Sequence, residues 1–408
     1  LKKRKLAGCL LIVSLCCMLT TGCWSRIELN ELAITSATGV DQEGEEYVVS
    51  FQVVIPATIS AGIGITGNNA GSPVVVYSTK GRTIREANSR SFFESPRKLF
   101  FAHNRIIVIS EATARRGLDS IVEVYLRNTD ARETVDVLIT PGSARRLLEQ
   151  LMQIERIPGA GIREIIRMES EYMSALPEVR MYELAMQLAD DSKSALIPEI
   201  IISGGKDNSS LQDFQRTTLP SKVRLGRLAV ISKNKQIGWL SRREALGTAF
   251  LRNQINQTPI TVACKEEPSK YLTVLVGKSK TTLSPSVQNG KLVVDAAIEA
   301  RGGLTQTDCR SVDLYDPVII QQLEAIIATE VKSIAEAGWK AARKLNTDVV
   351  KFAELAHRSF PADWRTWKTN WEQVFPETKV TINAKFTLVN VGLSNKSFRS
   401  TELNKNGD

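Results

Sequence analysis

The feature that most constrains this chain is one apolar run, Leu6 to Leu19 (LAGCLLIVSLCCML), standing directly behind Lys2, Lys3, Arg4 and Lys5. No other stretch of the 408 residues is long and apolar enough to meet a bilayer. A spanning helix needs about 20 apolar residues, so this run is short for one. A positive lead followed by an apolar run of this length reads as a secretory signal. A buried core helix would not account for the four charges ahead of it. The rest of the chain must therefore fold as globular protein. Its composition agrees: 43% hydrophobic and 24% charged residues exclude a mostly disordered chain and a polytopic membrane protein. The formal charge of +9 falls to +5 once the four leader cations are set aside. That is mildly basic and short of a nucleic-acid binder, so no nucleic-acid partner is expected. His103 and His357 are the only histidines. Multi-histidine metal sites are excluded, and any Ser-His or Cys-His chemistry would have to use one of these two.

The end of the apolar run reads Leu19-Thr20-Thr21-Gly22-Cys23. Small residues before a cysteine resemble a lipobox, although Thr20 stands where leucine is usual and Leu19 is one place early. On this reading a signal peptidase cuts between Gly22 and Cys23. The Cys23 thiol takes an S-diacylglyceryl group, and its amine could also be acylated. The alternative is ordinary secretion with a free Cys23. One acyl chain binds a membrane only reversibly, whereas two hold stably. The expected location is the outer face of a cytoplasmic membrane, with membrane lipid as a direct partner. Trp24, beside the anchor, suits the membrane interface. Cys9, Cys16 and Cys17 leave with the leader, and only Cys264 and Cys309 remain for the folded part. An extracytoplasmic location permits a disulfide between them. Two separate buried thiols is the favoured reading. No CxxC or other metal spacing occurs.

Residues 32–40, 46–55, 74–79, 104–110 and 135–140 read as strands, with helical segments at 82–93 and 118–127. Residues 143–190 read as helical, broken at Pro158-Gly159-Ala160-Gly161. The polar stretch 203–222 is a linker or long loop. Residues 224–240 form a strand, turn and strand. Ser241 and Glu244 then make a capping box. Asn289-Gly290 marks a hairpin. Asp316-Pro317 opens a long helix to about Leu345, Thr347 or Asp348 caps a short one, and 380–388 alternates as a half-buried strand. The fold class is mixed α/β (α+β). The division is a signal peptide at 1–22, a sheet-and-helix domain at 23–142, a mainly helical middle domain and linker at 143–220, a sheet-and-helix domain at 221–398 and a polar tail at 399–408.

Several motifs do not carry the chemistry they spell. Gly62-Ile63-Gly64-Ile65-Thr66-Gly67 is a literal GxGxxG, but Asn68-Asn69-Ala70-Gly71-Ser72-Pro73 cannot begin the helix that would hold a pyrophosphate. Ser95-Pro96-Arg97-Lys98 is an SxxK without its companion elements. Gly277-Lys278-Ser279 lacks the first glycine of a phosphate loop, since position 272 is leucine. His103 and His357 read as structural. Trp364, Trp367, Trp371 and Phe375 recur at helical spacing and read as a core stripe. No catalytic or metal residue is nominated, and no cofactor is expected apart from the covalent diacylglyceryl anchor.

Gly22-Cys23-Trp24-Ser25-Arg26-Ile27-Glu28-Leu29 followed by LAITSATGVD (Leu32–Asp41), GRLAVISKNKQIGWL (Gly226–Leu240) and FAELAHRSFPADWRTWKTNWEQVFPETKV in the tail occur in that order. Together they resemble the C-subunit lipoproteins of spore nutrient-germinant receptors, the Ger(x)C family. Ser25 departs from the aspartate common after the Cys-Trp pair. The resemblance implies three mixed α/β domains and a non-enzymatic protein tethered outside the inner spore membrane, working with two integral membrane receptor subunits. It does not imply that this subunit binds the nutrient. The rival readings are a solute-binding lipoprotein of a transporter, which predicts a two-lobed cleft, and an extracytoplasmic cell-wall hydrolase, which needs paired carboxylates in a cleft.

Overall fold

The computed structural model describes residues 28–60, 71–128, 130–205, 209–210, 217–265, 267–309 and 314–390, together with Leu6 and Gly8. The rest of the leader, with Gly22, Cys23, Trp24, the GxGxxG segment and the tail at 399–408, lies outside the described residues.

Strands β1 (Leu32–Glu43) and β2 (Glu46–Val54) form an antiparallel hairpin through Gly44, whose φ of 59° favours glycine. After the short helix α1 (Pro56–Ser60), β3 (Val74–Gly81) extends the hairpin. Helix α2 (Ile84–Arg90) leads to β4 (Lys98–Phe100), which lies parallel beside the first residues of β1. Next come β5 (Ile106–Ser110), α3 (Glu111–Arg116), α4 (Asp119–Arg127) and β6 (Asp136–Thr140). Helices α5 (Ala144–Leu148), α6 (Pro158–Tyr172) and α7 (Met181–Ala189) precede β7 (Ser194–Gly204), β8 (Ser221–Ser232) and β9 (Lys235–Leu240). The sheet order is β3-β2-β1-β5-β6-β7-β8-β9, with β4 beside β1. Strands β5 and β6 read as continuous apolar runs because the sheet is covered on both faces. Ile106, Val108 and Leu138 enter one core, while Ile107, Ile109 and Ile139 enter the other.

Helix α8 (Arg242–Leu251) starts at Ser241, whose hydroxyl and the Glu244 carboxylate complete the expected capping box. The second sheet follows, in the order β10 (Thr258–Ala263), β11 (Tyr271–Gln288), β12 (Lys291–Thr307) and β13 (Lys379–Asn390). The β11–β12 turn places Asn289 and Gly290 at φ 52° and 74°, the geometry a two-residue hairpin loop requires. Helix α9 (Pro317–Lys344), capped by Asp316, crosses α8 at Gly247 and Gly338. Helices α10 (Phe352–Ser359), α11 (Pro361–Trp367) and α12 (Trp371–Val374) pack an aromatic cluster. Trp364 meets Trp371 at 5.1 Å and Trp339 meets Phe375 at 5.3 Å between ring centroids. The tryptophan stripe is therefore core, although one 3₁₀ turn (Lys368–Asn370) divides its helix and Phe375 opens another past its end.

Three features differ from the sequence reading. Residues 194–204 form β7 inside the segment read as mainly helical, and β7 pairs with β8 from Ser194↔Ser232 to Gly204↔Ser221. The first sheet therefore crosses the boundaries expected at 142 and 220. Its apolar core continues through α8 and α9 into the second sheet, so hydrophobic burial does not stop at either point. The Pro158-Gly159 break is the first turn of α6, where a fixed φ and a missing N–H suit proline. The structure also joins Cys264 to Cys309 rather than leaving two separate thiols, with their Cα atoms 5.6 Å apart. Strand register is the reason. Ala263 pairs with Tyr271, and Leu272 pairs with Thr307, so the residues just past β10 and β12 converge at the start of β11.

Candidate functional site

The residues with chemical potential gather at a junction between the first sheet and the C-terminal helices. Lys351 adopts a left-handed backbone, φ 67°, just before α10. Its Nζ donates to Ser192 Oγ at 2.8 Å and to the Ser194 carbonyl at 2.9 Å, and it pairs with Asp190. Asp348 is buried and accepts from the backbone N–H of Phe352 (2.9 Å) and Ala353 (2.6 Å) and from Trp371 Nε1 (3.2 Å). It thus caps α10 from three residues upstream of the helix's left-handed entry. Its own carbonyl accepts from Ser194 Oγ at 2.7 Å, tying this end to β7. Burial pushes the Asp348 carboxyl up to about 6, against the pull of those donors. Burial likewise raises Glu354, whose Oε1 lies 3.8 Å from Lys351 Nζ. The half-buried Arg252 guanidinium stands among Glu354, Asp190 and Asp348, with its pKa lowered by desolvation. Two cations among three carboxyls make a clamp between two parts of the fold.

A second seam lies within the first sheet. Strand β6 meets β7 through one parallel bridge, Ile139 to Glu199. The Glu199 carboxylate is buried and accepts from Arg227 N (2.7 Å), Nε (3.1 Å) and a terminal guanidinium nitrogen (2.7 Å). Arg227 lies over the Trp239 ring at 4.4 Å, and Trp239 Nε1 donates to Glu111 at 3.1 Å. Nearby, Asp136 is fully buried, with Arg163 Nε 3.2 Å away, and burial lifts its carboxyl to about 7.

Two surfaces could receive a partner. Along α6, Met152, Ile154, Ile165, Met168, Tyr172 and Met173 line an open groove of about 590 Å³. Its walls carry Glu155, Glu164 and Glu169 and no lysine or arginine. Glu169 is the sharpest of these: its side chain is 10% exposed, one oxygen meets Arg242 at 2.6 Å, and the other has no hydrogen-bond partner. A smaller cavity, about 230 Å³, lies where α6 and β7 approach α8, with Ser174, Glu178, Thr248 and Asn256 on its walls.

The residues singled out in the sequence are scattered. His103 is exposed beside the Phe100 ring. His357 stacks on Trp364 and meets Asp191 through Nδ1 at 2.5 Å, far from His103 in the fold's order of elements. Ser95 Oγ donates to the Arg97 carbonyl, closing a turn. Gly277-Lys278-Ser279 lies inside β11, with no helix to hold a phosphate. Among the described residues, no group of three or more His, Cys, Asp and Glu side chains could hold a metal ion, and no helix is long and apolar enough to cross a membrane. The junction is half visible in sequence, where Thr347 or Asp348 reads as the cap; the structure gives that role to Asp348. The junction's links to Ser194 and Asp190 join positions more than 150 residues apart, which no local pattern encodes. The signal for the α6 groove in the sequence is Met168 and Tyr172, with Met173 just past the end, on a helix otherwise rich in charge.

Residues 25–202 match the family described as "Spore germination protein N-terminal domain", and residues 226–392 match "Spore germination B3/ GerAC like, C-terminal". Spore germination protein KC of Bacillus subtilis (strain 168) is 26% identical over 384 residues, covering 93% of this chain and 94% of that protein. Spore germination protein B3 of the same organism is 21% identical, covering 92% and 95%. The crystal structure of the GerBC protein superposes with a TM-score of 0.55 at 18% identity, over 86% of this chain and 97% of that one. That likeness shows the mixed α+β fold.

Proposed function

We infer from membership of the Ger(x)C family of spore germination proteins, to which this chain belongs, that it works as the C subunit of a germinant receptor. The observation that carries this reading is the pair of family matches, in order, over almost the whole chain past the leader. The subunit is tethered by a diacylglyceryl group on Cys23, with Trp24 at the membrane interface, on the outer face of the inner spore membrane. The lipobox-like segment Leu19–Cys23 supports this. The protein acts by contact rather than catalysis and assembles with two integral membrane subunits. The groove along α6 suits such a contact: an apolar segment of a partner would cover its methionines. A solute-binding role would need two lobes moving about a cleft. The unbroken core between the two sheets and the clamp at Lys351 speak against that motion.

The test is Cys23→Ala in the native organism. The variant chain is expected to leave the membrane fraction and to impair nutrient-triggered germination. Unchanged fractionation and germination would refute the anchor.

A further inference from the structure

Phe92 and Phe93 are 62% and 88% exposed, at the tip between α2 and β4. A rigid turn holds them out. Ser91 is buried, its hydroxyl donates to the Asn88 carbonyl at 2.6 Å, and its carbonyl accepts from Glu94 N and Ser95 N at 3.1 and 2.8 Å. The chain then returns through Arg97 and Lys98, both exposed and without an ion pair among the described residues. Exposed adjacent phenyl rings cost solubility and call for a partner surface.

Topology supplies the partner. Strand β4 lies beside the start of β1, with Lys98 paired to Leu32, Leu99 to Ala33 and Phe100 to Ile34. The tip therefore stands at the end of the sheet where the chain arrives from Cys23. Lys98 is five residue steps from Phe93, and Leu32 is nine steps from Cys23. At roughly 3.5 Å per residue these spans reach at most about 18 Å and about 32 Å. A bilayer holding the Cys23 acyl chains is within reach of the rings.

We propose that Phe92 and Phe93 insert into the membrane interface while Arg97 and Lys98 face anionic headgroups, giving the subunit a second, weaker lipid contact. This rests on the reading of Cys23 as the lipid anchor. The tether turns insertion into an intramolecular event, so a contact too weak to recruit the protein still fixes its orientation. The Gly44–Glu45 turn, at the far end of β1, then points away from the bilayer.

The test uses the mature lipidated chain with the Cys264–Cys309 bond intact, labelled with an environment-sensitive fluorophore at Phe93→Cys and, separately, at Glu45→Cys. Each is reconstituted in vesicles of phosphatidylcholine with phosphatidylglycerol, with and without bromolipid. The expected result is a blue shift and severalfold quenching at position 93 and neither at position 45, with the shift reduced when phosphatidylglycerol is left out. A chain that floats with the vesicles while position 93 stays in water overturns the tip and leaves the anchor standing. A chain that does not float overturns both. A blue shift that needs the integral subunits and is insensitive to bromolipid would assign the rings to a protein interface and overturn the lipid contact. Phe92→Ser with Phe93→Ser, labelled at Lys98→Cys, should lose quenching while still floating.

Discussion

Replacing Glu199 with alanine tests whether the β6–β7 seam depends on one carboxylate. The side chain is 3% exposed and accepts three hydrogen bonds from Arg227, at 2.7, 3.1 and 2.7 Å. Removing one partner of a buried ion pair costs about 3–5 kcal/mol, chiefly because the other charge is stranded. Arg227 is 47% exposed and keeps its stack on Trp239, so water can recover much of its solvation. The expected loss is therefore smaller, about 2 kcal/mol. The bridge Ile139↔Glu199 and the middle of β8 around Arg227 should feel it locally. The assay is amide hydrogen exchange of the full chain by mass spectrometry. A loss of about 2 kcal/mol accelerates exchange of β7 and β8 amides about 30-fold when opening is local. Peptides from β11 and β12 should not change. Glu199→Gln should behave similarly, because its amide nitrogen faces a donor on either choice of orientation. Exchange of β7 and β8 within about twofold of the parent would show that the seam does not depend on Glu199.

Three further outcomes follow from the same structure. Cys264→Ser with Cys309→Ser opens a link across 45 residues and should cost about 4 kcal/mol on the chain-entropy account, read as a lower urea midpoint for the second sheet; an unchanged midpoint would contradict it. Gly338→Ala would place a Cβ 2.5 Å from the Gly247 carbonyl carbon, so α8 and α9 must separate, and circular-dichroism melts should show a loss of about 1–3 kcal/mol, with a neutral result refuting the close crossing. The carboxyls of Asp348 and Glu354 are raised by burial, to about 6 and about 7, so the folded protein binds their protons more readily than the unfolded chain. Their contribution is complete below about pH 4 and is lost as pH rises through about 6 to 7. Glu354→Gln should flatten that decline in urea titrations; parallel curves would contradict the assignment.

What was legible in the sequence was local. Asn289-Gly290 dictates left-handed backbone, Ser241 with Glu244 closes a cap, and Asp316 ahead of Pro317 starts a helix; each depends on neighbours within a few residues. Strand β7 was missed for a related reason. SALIPEIIISG has no alternation, because it is buried on both faces, and Pro198 interrupts it at a bulge. The sequence order of the two cysteines said nothing about strand register, which is what brings them together. The clamp around Lys351 and the Glu199 seam are contacts between distant segments. A buried carboxylate and a solvated one look alike until the partner strand is known. The surface features were half readable: the adjacent Phe92 and Phe93 are plain in the sequence, but their exposure depends on Ser91 turning inward.

A tethered subunit of a membrane receptor should be recovered from spores together with its partners. The most direct measurement is purification of the full chain, tagged at its C-terminus, from the inner membrane of dormant spores in mild detergent, with every accompanying protein identified by mass spectrometry. The expected result is two integral membrane subunits in constant ratio with a chain whose first residue is an acylated Cys23. A chain recovered alone, or with transporter components, from a preparation in which other membrane complexes stay intact would contradict it.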